Sequence, residues 1–114
     1  MRVWNATREV WLASKVEVAD RFLRRLVGLL GRASLSREHG LLITRCDSIH
    51  TIGMRFPIDV VFVGRDLRVV KTVETLKPFR VVFPVRRAVA VLELPAGTIR
   101  QTRTQVGDQL RFLD

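Results

Sequence analysis

The segment 48–63, SIHTIGMRFPIDVVFV, places a carboxylate, Asp59, inside an apolar run and an imidazole, His50, just ahead of it. A carboxylate among Val, Ile and Phe side chains is costly to bury unless a cation or several N–H donors meet it. Two roles suit such a group. It can anchor the fold, paired with Arg25 or hydrogen-bonded to backbone, or it can line a cleft as a ligand or catalytic group. The anchor is the role expected of Asp59, with Arg25 as the structural arginine. Glu93 repeats the pattern in RAVAVLEL, 87–94, just before the turn residues PAG. A strand end beside a turn is partly wet, so Glu93 is expected at a rim, pairing with an arginine or with Lys77. If the strands carrying Asp59 and Glu93 are neighbours, the two carboxylates could form one polar cluster.

Cys46, Ser48 and His50 alternate along CDSIHT. On a strand all of them would point to one face, and Cys or Ser beside His is the usual nucleophile–base pairing. Residues two apart on a strand, however, lie about 7 Å apart and project in parallel, which is poor geometry for proton transfer. No Gly-x-Ser-x-Gly elbow is present, so no catalytic residue is assigned. A metal site could draw on His39, Cys46, His50, Asp59 or Glu93, but the chain lacks CxxC, HxxxH and HExxH spacing, and no metal or cofactor is expected. Arg21 and Arg24 form a basic stripe with Arg25. Guanidinium forks bind carboxylate or phosphate bidentately, so Arg21 and Arg24 are candidate anion ligands.

These groups need elements to hold them. In ADRFLRRLVGLLGR, 19–32, Phe22, Leu26, Leu29 and Leu30 fall on one face at helical spacing, with Asp20 as a candidate N-cap. Residues 2–6 and 9–13 read as strands around NATR, and 41–44 as a short buried strand. In 58–63 the residues Ile58, Val60 and Phe62 face one way and Asp59, Val61 and Val63 the other, which predicts a central strand covered on both sides. GRD, 64–66, is a hairpin loop returning into 67–74. Further strands are expected at 80–83 and 87–94, and 106–113 reads as a turn at Gly107-Asp108 followed by a closing strand, with one helical turn within 98–104. Many short strands and one helix predict a mainly β fold, a single-domain sandwich or small barrel-like sheet with one packed helix at about 20–31, or alternatively α+β.

The chain has 114 residues and is 47% hydrophobic, the size and composition of one globular domain. Its single cysteine cannot form an internal disulfide. Neither a signal peptide nor a membrane span is legible, so a cytoplasmic location without membrane association is expected. The formal charge is +9, carried by 17 Arg and 3 Lys spread along the chain. Such a charge draws nucleic acid and anionic surfaces. With no basic run of four and no aromatic interleaving seen, nucleic acid is a partner not favoured.

The phrases VADRFLRRLVGLLGRASL, GLLI, HTIGMRFPIDVVFV, LKPFR, AVLELPAG and GDQL, in that order, resemble a small bacterial and archaeal family catalogued as domain of unknown function one-nine-two. The resemblance covers about residue 10 to the end. It implies a compact, mainly β fold with a short helix and implies no activity. Arg25, Gly28, Leu29, Arg32, Pro57, Asp59, Lys77, Glu93, Leu94, Gly97, Gly107 and Asp108 match its pattern. Departures are Phe22 and Leu23, where relatives carry Pro and Glu, and His50, where Trp is common.

Taken together, these residues favour a non-enzymatic binding module for a small polar or anionic ligand. The expected cleft is lined by 46–59, the Lys77-Pro78 loop and the end of 87–94. Its candidate ligand-binding residues are Arg21, Arg24, Ser48, His50, Lys77 and Glu93. The alternatives are a metal-assisted or hydrolase-like enzyme using Asp59, Glu93 and His50, and nonspecific nucleic-acid binding through charge. The sequence leaves the oligomeric state undetermined.

Overall fold

Two strong apolar strands organise the molecule. In the computed structural model, which describes residues 1–20 and 34–114, β6 (Ile58–Gly64) is buried along its whole length. It lies between β9 (Ala88–Pro95) and β7 (Val69–Leu76). With β3 (Lys15–Asp20) and β4 (His39–Thr44) they form a five-stranded sheet in the order β3-β4-β9-β6-β7. β3 and β4 run parallel, and the other neighbours are antiparallel. The alternation of β6 sorts its side chains into two cores. Val61 and Val63 join one with Leu92 and Leu94 of β9. Ile58, Val60 and Phe62 join the other with Val91 and Ile43.

Each face has its own cover. A three-stranded sheet, β10-β1-β2, is built from β1 (Arg2–Asn5), β2 (Val10–Ala13) and β10 (Leu110–Leu113). It supplies Val3, Leu12 and Leu110 to the first core, joined by Ile99 of the short helix α1 (Thr98–Thr102). The second core is roofed by a two-stranded ribbon, β5 (Ile49–His50) with β8 (Val81–Val82). Ile49, Val82 and Val85 turn inward there. The fold is therefore mainly β, as expected, and its sheets layer as a sandwich without closing into a barrel. No helix among the described residues is long and apolar enough to cross a membrane.

The helix expected at 20–31 lies outside the described residues. β3 was not anticipated: Lys15, Glu17 and Val18 are exposed while Val16 and Ala19 are buried, and Asp20 ends this strand opposite Thr44. The expected helical turn within 98–104 is α1.

Asp59 connects these layers. It is fully buried, and its carboxylate takes backbone hydrogens from two directions. One oxygen accepts the N–H of Thr75 at 2.8 Å, where β7 turns through a left-handed backbone conformation of φ 49°. The other accepts the N–H groups of Gly97 at 3.1 Å and Ile99 at 2.8 Å. Gly97 is the N-cap of α1, with φ 95° and no capping side chain. Asp59 thus caps from across the sheet the amides that a local Ser or Asp would ordinarily serve. Removing the carboxylate would strand these donors. Asp59→Ala should therefore cost roughly 3–5 kcal/mol in urea denaturation. Asp59→Asn should recover only part, because its single accepting oxygen cannot serve both groups of donors. A loss for Asp59→Ala within about 0.5 kcal/mol would contradict the anchoring role.

Candidate anion-binding site

Of the candidate ligand-binding residues, Ser48, His50, Lys77 and Glu93 are among the described residues. Arg21, Arg24 and Arg25 lie outside the described residues. Glu93 is not at a rim: β9 continues through Pro95, paired with Ile58, which leaves Glu93 fully buried inside the sheet. Asp59 and Glu93 do occupy neighbouring strands, but Asp59 pairs with Leu94 and Glu93 with Val60. Cross-strand partners share a face, so the carboxylates project to opposite sides of the sheet and cannot form the shared cluster.

Cys46, Ser48 and His50 do not share one strand face. Residues 45–48 are not a strand, and Arg45 has φ 50°. The Cys46 thiol points to the Ser48 carbonyl at 2.9 Å, and His50 Nδ1 accepts the N–H of Ile52 at 3.3 Å. The segments that carry His50 and Lys77 are joined through Thr51, whose role was not anticipated. The Thr51 hydroxyl is buried, donates to the Lys77 carbonyl at 2.6 Å and accepts the Arg80 N–H at 2.9 Å. Backbone bonds from Thr51 to Phe79 and Arg80 complete the clasp. One threonine in HTIG carries no sequence signal of this burial. No group of His, Cys, Asp and Glu among the described residues is placed to hold a metal ion.

A better-formed concavity lies at the opposite end of β6 and β9. The β6–β7 hairpin supplies Arg65 and Arg68, the turn before β9 supplies Arg87, and Val69, Val89 and Val106 are among its apolar walls. The groove holds about 750 Å³. Arg68 donates to the Gly107 carbonyl at 2.9 Å and lies 4.0 Å from the carboxylate of Asp66, which also lines the groove. Arg65 and Arg87 are exposed, and neither makes a side-chain hydrogen bond or ion pair with a described residue. Their guanidiniums remain available for an anion.

The wall at 105–108 is held by hydrogen bonds to one buried carboxylate. Buried Asp108 accepts Asn5 Nδ2 at 3.0 Å, the Gln105 N–H at 3.0 Å and Arg8 Nε at 3.1 Å. Burial alone would push its carboxyl pKa up. The donors from Asn5, the Gln105 backbone and Arg8 outweigh that burial and hold it below the ordinary value. The turn is also bonded to the start of β7, with Val69 N–H on the Asp108 carbonyl and Gly107 N–H on the Val69 carbonyl. Sequence reading marked Gly107-Asp108 as a turn but did not find this network, because Asn5 and Asp108 are far apart along the chain.

The chain is similar to several known proteins. The model of domain of unknown function 192 (DUF192), described as an uncharacterized ACR, matches residues 3–112. A UPF0127 protein of Pyrococcus abyssi is 33% identical, over 96% of this chain and 95% of its own. Another from Pyrococcus furiosus is 34% identical, over 95% of each chain. The crystal structure of a protein of unknown function from Novosphingobium aromaticivorans superposes with a TM-score of 0.84 at 23% identity. It covers 98% of this chain and 84% of that one, and it shares the fold.

The lowered pKa of Asp108 carries a sign. Its bonds stabilise the folded chain above the unfolded-state pKa of about 3.9, and that stability is lost as pH falls through the lowered folded-state value. Urea denaturation at stepped pH should show Asp108→Asn less stable than the parent near neutrality, with the gap narrowing in acid. A gap that stays constant through the acid range would contradict the assignment.

Proposed function

We propose that this protein, which belongs to the DUF192 family, is a non-enzymatic binding module for a small anion with an apolar body, held between Arg65, Arg68 and Arg87. The observation that carries this reading is that the uncommitted guanidiniums of Arg65 and Arg87 share one groove with apolar walls. Arginine offers a planar fork matched to carboxylate or phosphate, and it stays charged at any physiological pH. A group that does not exchange protons suits binding better than general acid–base chemistry. The valines reward an apolar portion of the ligand, at about 25 cal/mol per Å² removed from water. The bond from Arg68 to the Gly107 carbonyl and the turn held by Asp108 reduce the ordering cost of complex formation. The enzyme alternative loses support where Asp59 and Glu93 project to opposite faces.

The test is a titration of isotopically labelled protein with octanoate and, separately, inorganic phosphate, followed through backbone amide resonances. Shifts should concentrate at Gly64, Val89 and Gly107, and octanoate should saturate at lower concentration than phosphate. The double variant Arg65→Ala/Arg87→Ala should weaken octanoate binding by at least about tenfold. Shifts elsewhere, or equal binding by the variant, would overturn the proposal.

A further inference from the structure

The strap from β7 to β9, LKPFRVVFPVRR at 76–87, carries Lys77, Arg80, Arg86 and Arg87 and no carboxylate. Along it Val82 and Val85 turn into the second core, which leaves Phe79, Val81 and Phe83 outside. These are 68%, 51% and 78% exposed, large values for apolar side chains. Contrary to the sequence expectation, aromatic and basic residues do interleave here. Alternation on a ribbon puts His50 on the same outer face, since it pairs with Val81 while Ile49 pairs with Val82. Pro78 and Pro84 lack the N–H groups that would extend the ribbon by pairing. Beside this ridge runs a trough of about 750 Å³, lined by Lys71 and Val73 of β7 and by residues 81–86 of the strap.

We propose that this ridge and trough bind single-stranded nucleic acid. Phe79 and Phe83 offer rings on which bases can stack, and Arg80, Lys77, Lys71 and Arg86 offer charge for the phosphates. Aromatic platforms beside a basic track are what sequence-tolerant single-strand binding requires. Glu74 on β7 is an opposing charge along the same edge. The trough decides against a lipid surface: a strand can lie in it, whereas a bilayer meeting the ridge would leave it unfilled. The trough shares no lining residue with the Arg65–Arg87 groove, and the proposal does not rest on the function proposed for that groove.

The test is fluorescence anisotropy of a fluorescein-labelled oligothymidylate across a salt series. It is run beside the same strand in duplex form and beside co-sedimentation with phosphatidylcholine vesicles with and without phosphatidylglycerol. The parent should prefer the single strand. Phe79→Ala/Phe83→Ala removes exposed rings only, so folding should persist. Emission from Trp4 and Trp11, on β1 and β2, checks this independently. That variant should lose about tenfold or more in affinity with its salt slope unchanged. Arg80→Ala/Arg86→Ala should lower the slope of log affinity against log salt by about 1.4. Parental binding by the phenylalanine variant would overturn the proposal, because charge alone would then suffice. So would capture by anionic vesicles without oligothymidylate binding, or binding to neither.

Discussion

The arrangement depends first on one carboxylate that has been taken out of water and given back its hydrogen bonds by the backbone. Asp59 sits at the start of the most buried strand and holds three amide donors from Thr75, Gly97 and Ile99. Each donor belongs to a stretch the chain would otherwise leave irregular: a left-handed kink in β7, a left-handed glycine, and the first turn of a five-residue helix. A helix that short has little intrinsic stability. A carboxylate at its N-terminus satisfies its free N–H groups and opposes its dipole favourably. Because the same side chain reaches β7, the position of α1 relative to the sheet edge is set by one group. Ile99 then enters the core already aligned.

A second constraint follows from burying the central sheet on both faces. Every position on β6 must face one core or the other, so polar chemistry cannot gather in mid-sheet unless two groups share a side. The register denies this to Asp59 and Glu93. What remains for binding is the periphery: the hairpin end, where three arginines meet apolar side chains, and the strap over the second core. In the strap, inward anchoring at Val82 and Val85 forces the intervening side chains out. Exposure of Phe83 is thus a consequence of how the strap is tied down, and the ties are themselves apolar.

The sequence made β6 and β9 legible because a period of two with apolar residues on both faces has few other readings. It also exposed Asp59 as an anomaly within β6. Hydrogen bonding to backbone is one of the two anchors the residues offer for Asp59, but which amides serve it leaves no mark in composition; the other anchor, Arg25, lies outside the described residues. β3 was missed because Ala19 and Asp20 fitted the start of a helical pattern as well as the end of a strand. Glu93 was misplaced at a rim because Pro95 read as the start of a turn, whereas it is the last residue of β9. The aromatic ridge was missed because Phe and Val in short strands ordinarily mean core. Only the tertiary placement of Val82 reveals which alternate set faces out.

The arginine excess resolves along the same lines. Where the fold uses arginine, it gives it an acceptor: Arg8 holds Asp108, Arg37 reaches the Leu12 carbonyl and Gln101, and Arg68 holds the Gly107 carbonyl. These contacts join segments distant in sequence, and a planar fork does this better than a single ammonium. Other arginines on the surface keep the molecule solvated, and a net charge alone would need no particular placement of them. Arg65 and Arg87 differ from that background because apolar side chains lie with them in one groove. Arg80 and Arg86 differ because phenylalanine rings stand exposed beside them. In both places the chain exposes apolar surface it could have buried and sets cations next to it. Folding alone does not reward that combination, and an anionic ligand with an apolar or aromatic face does.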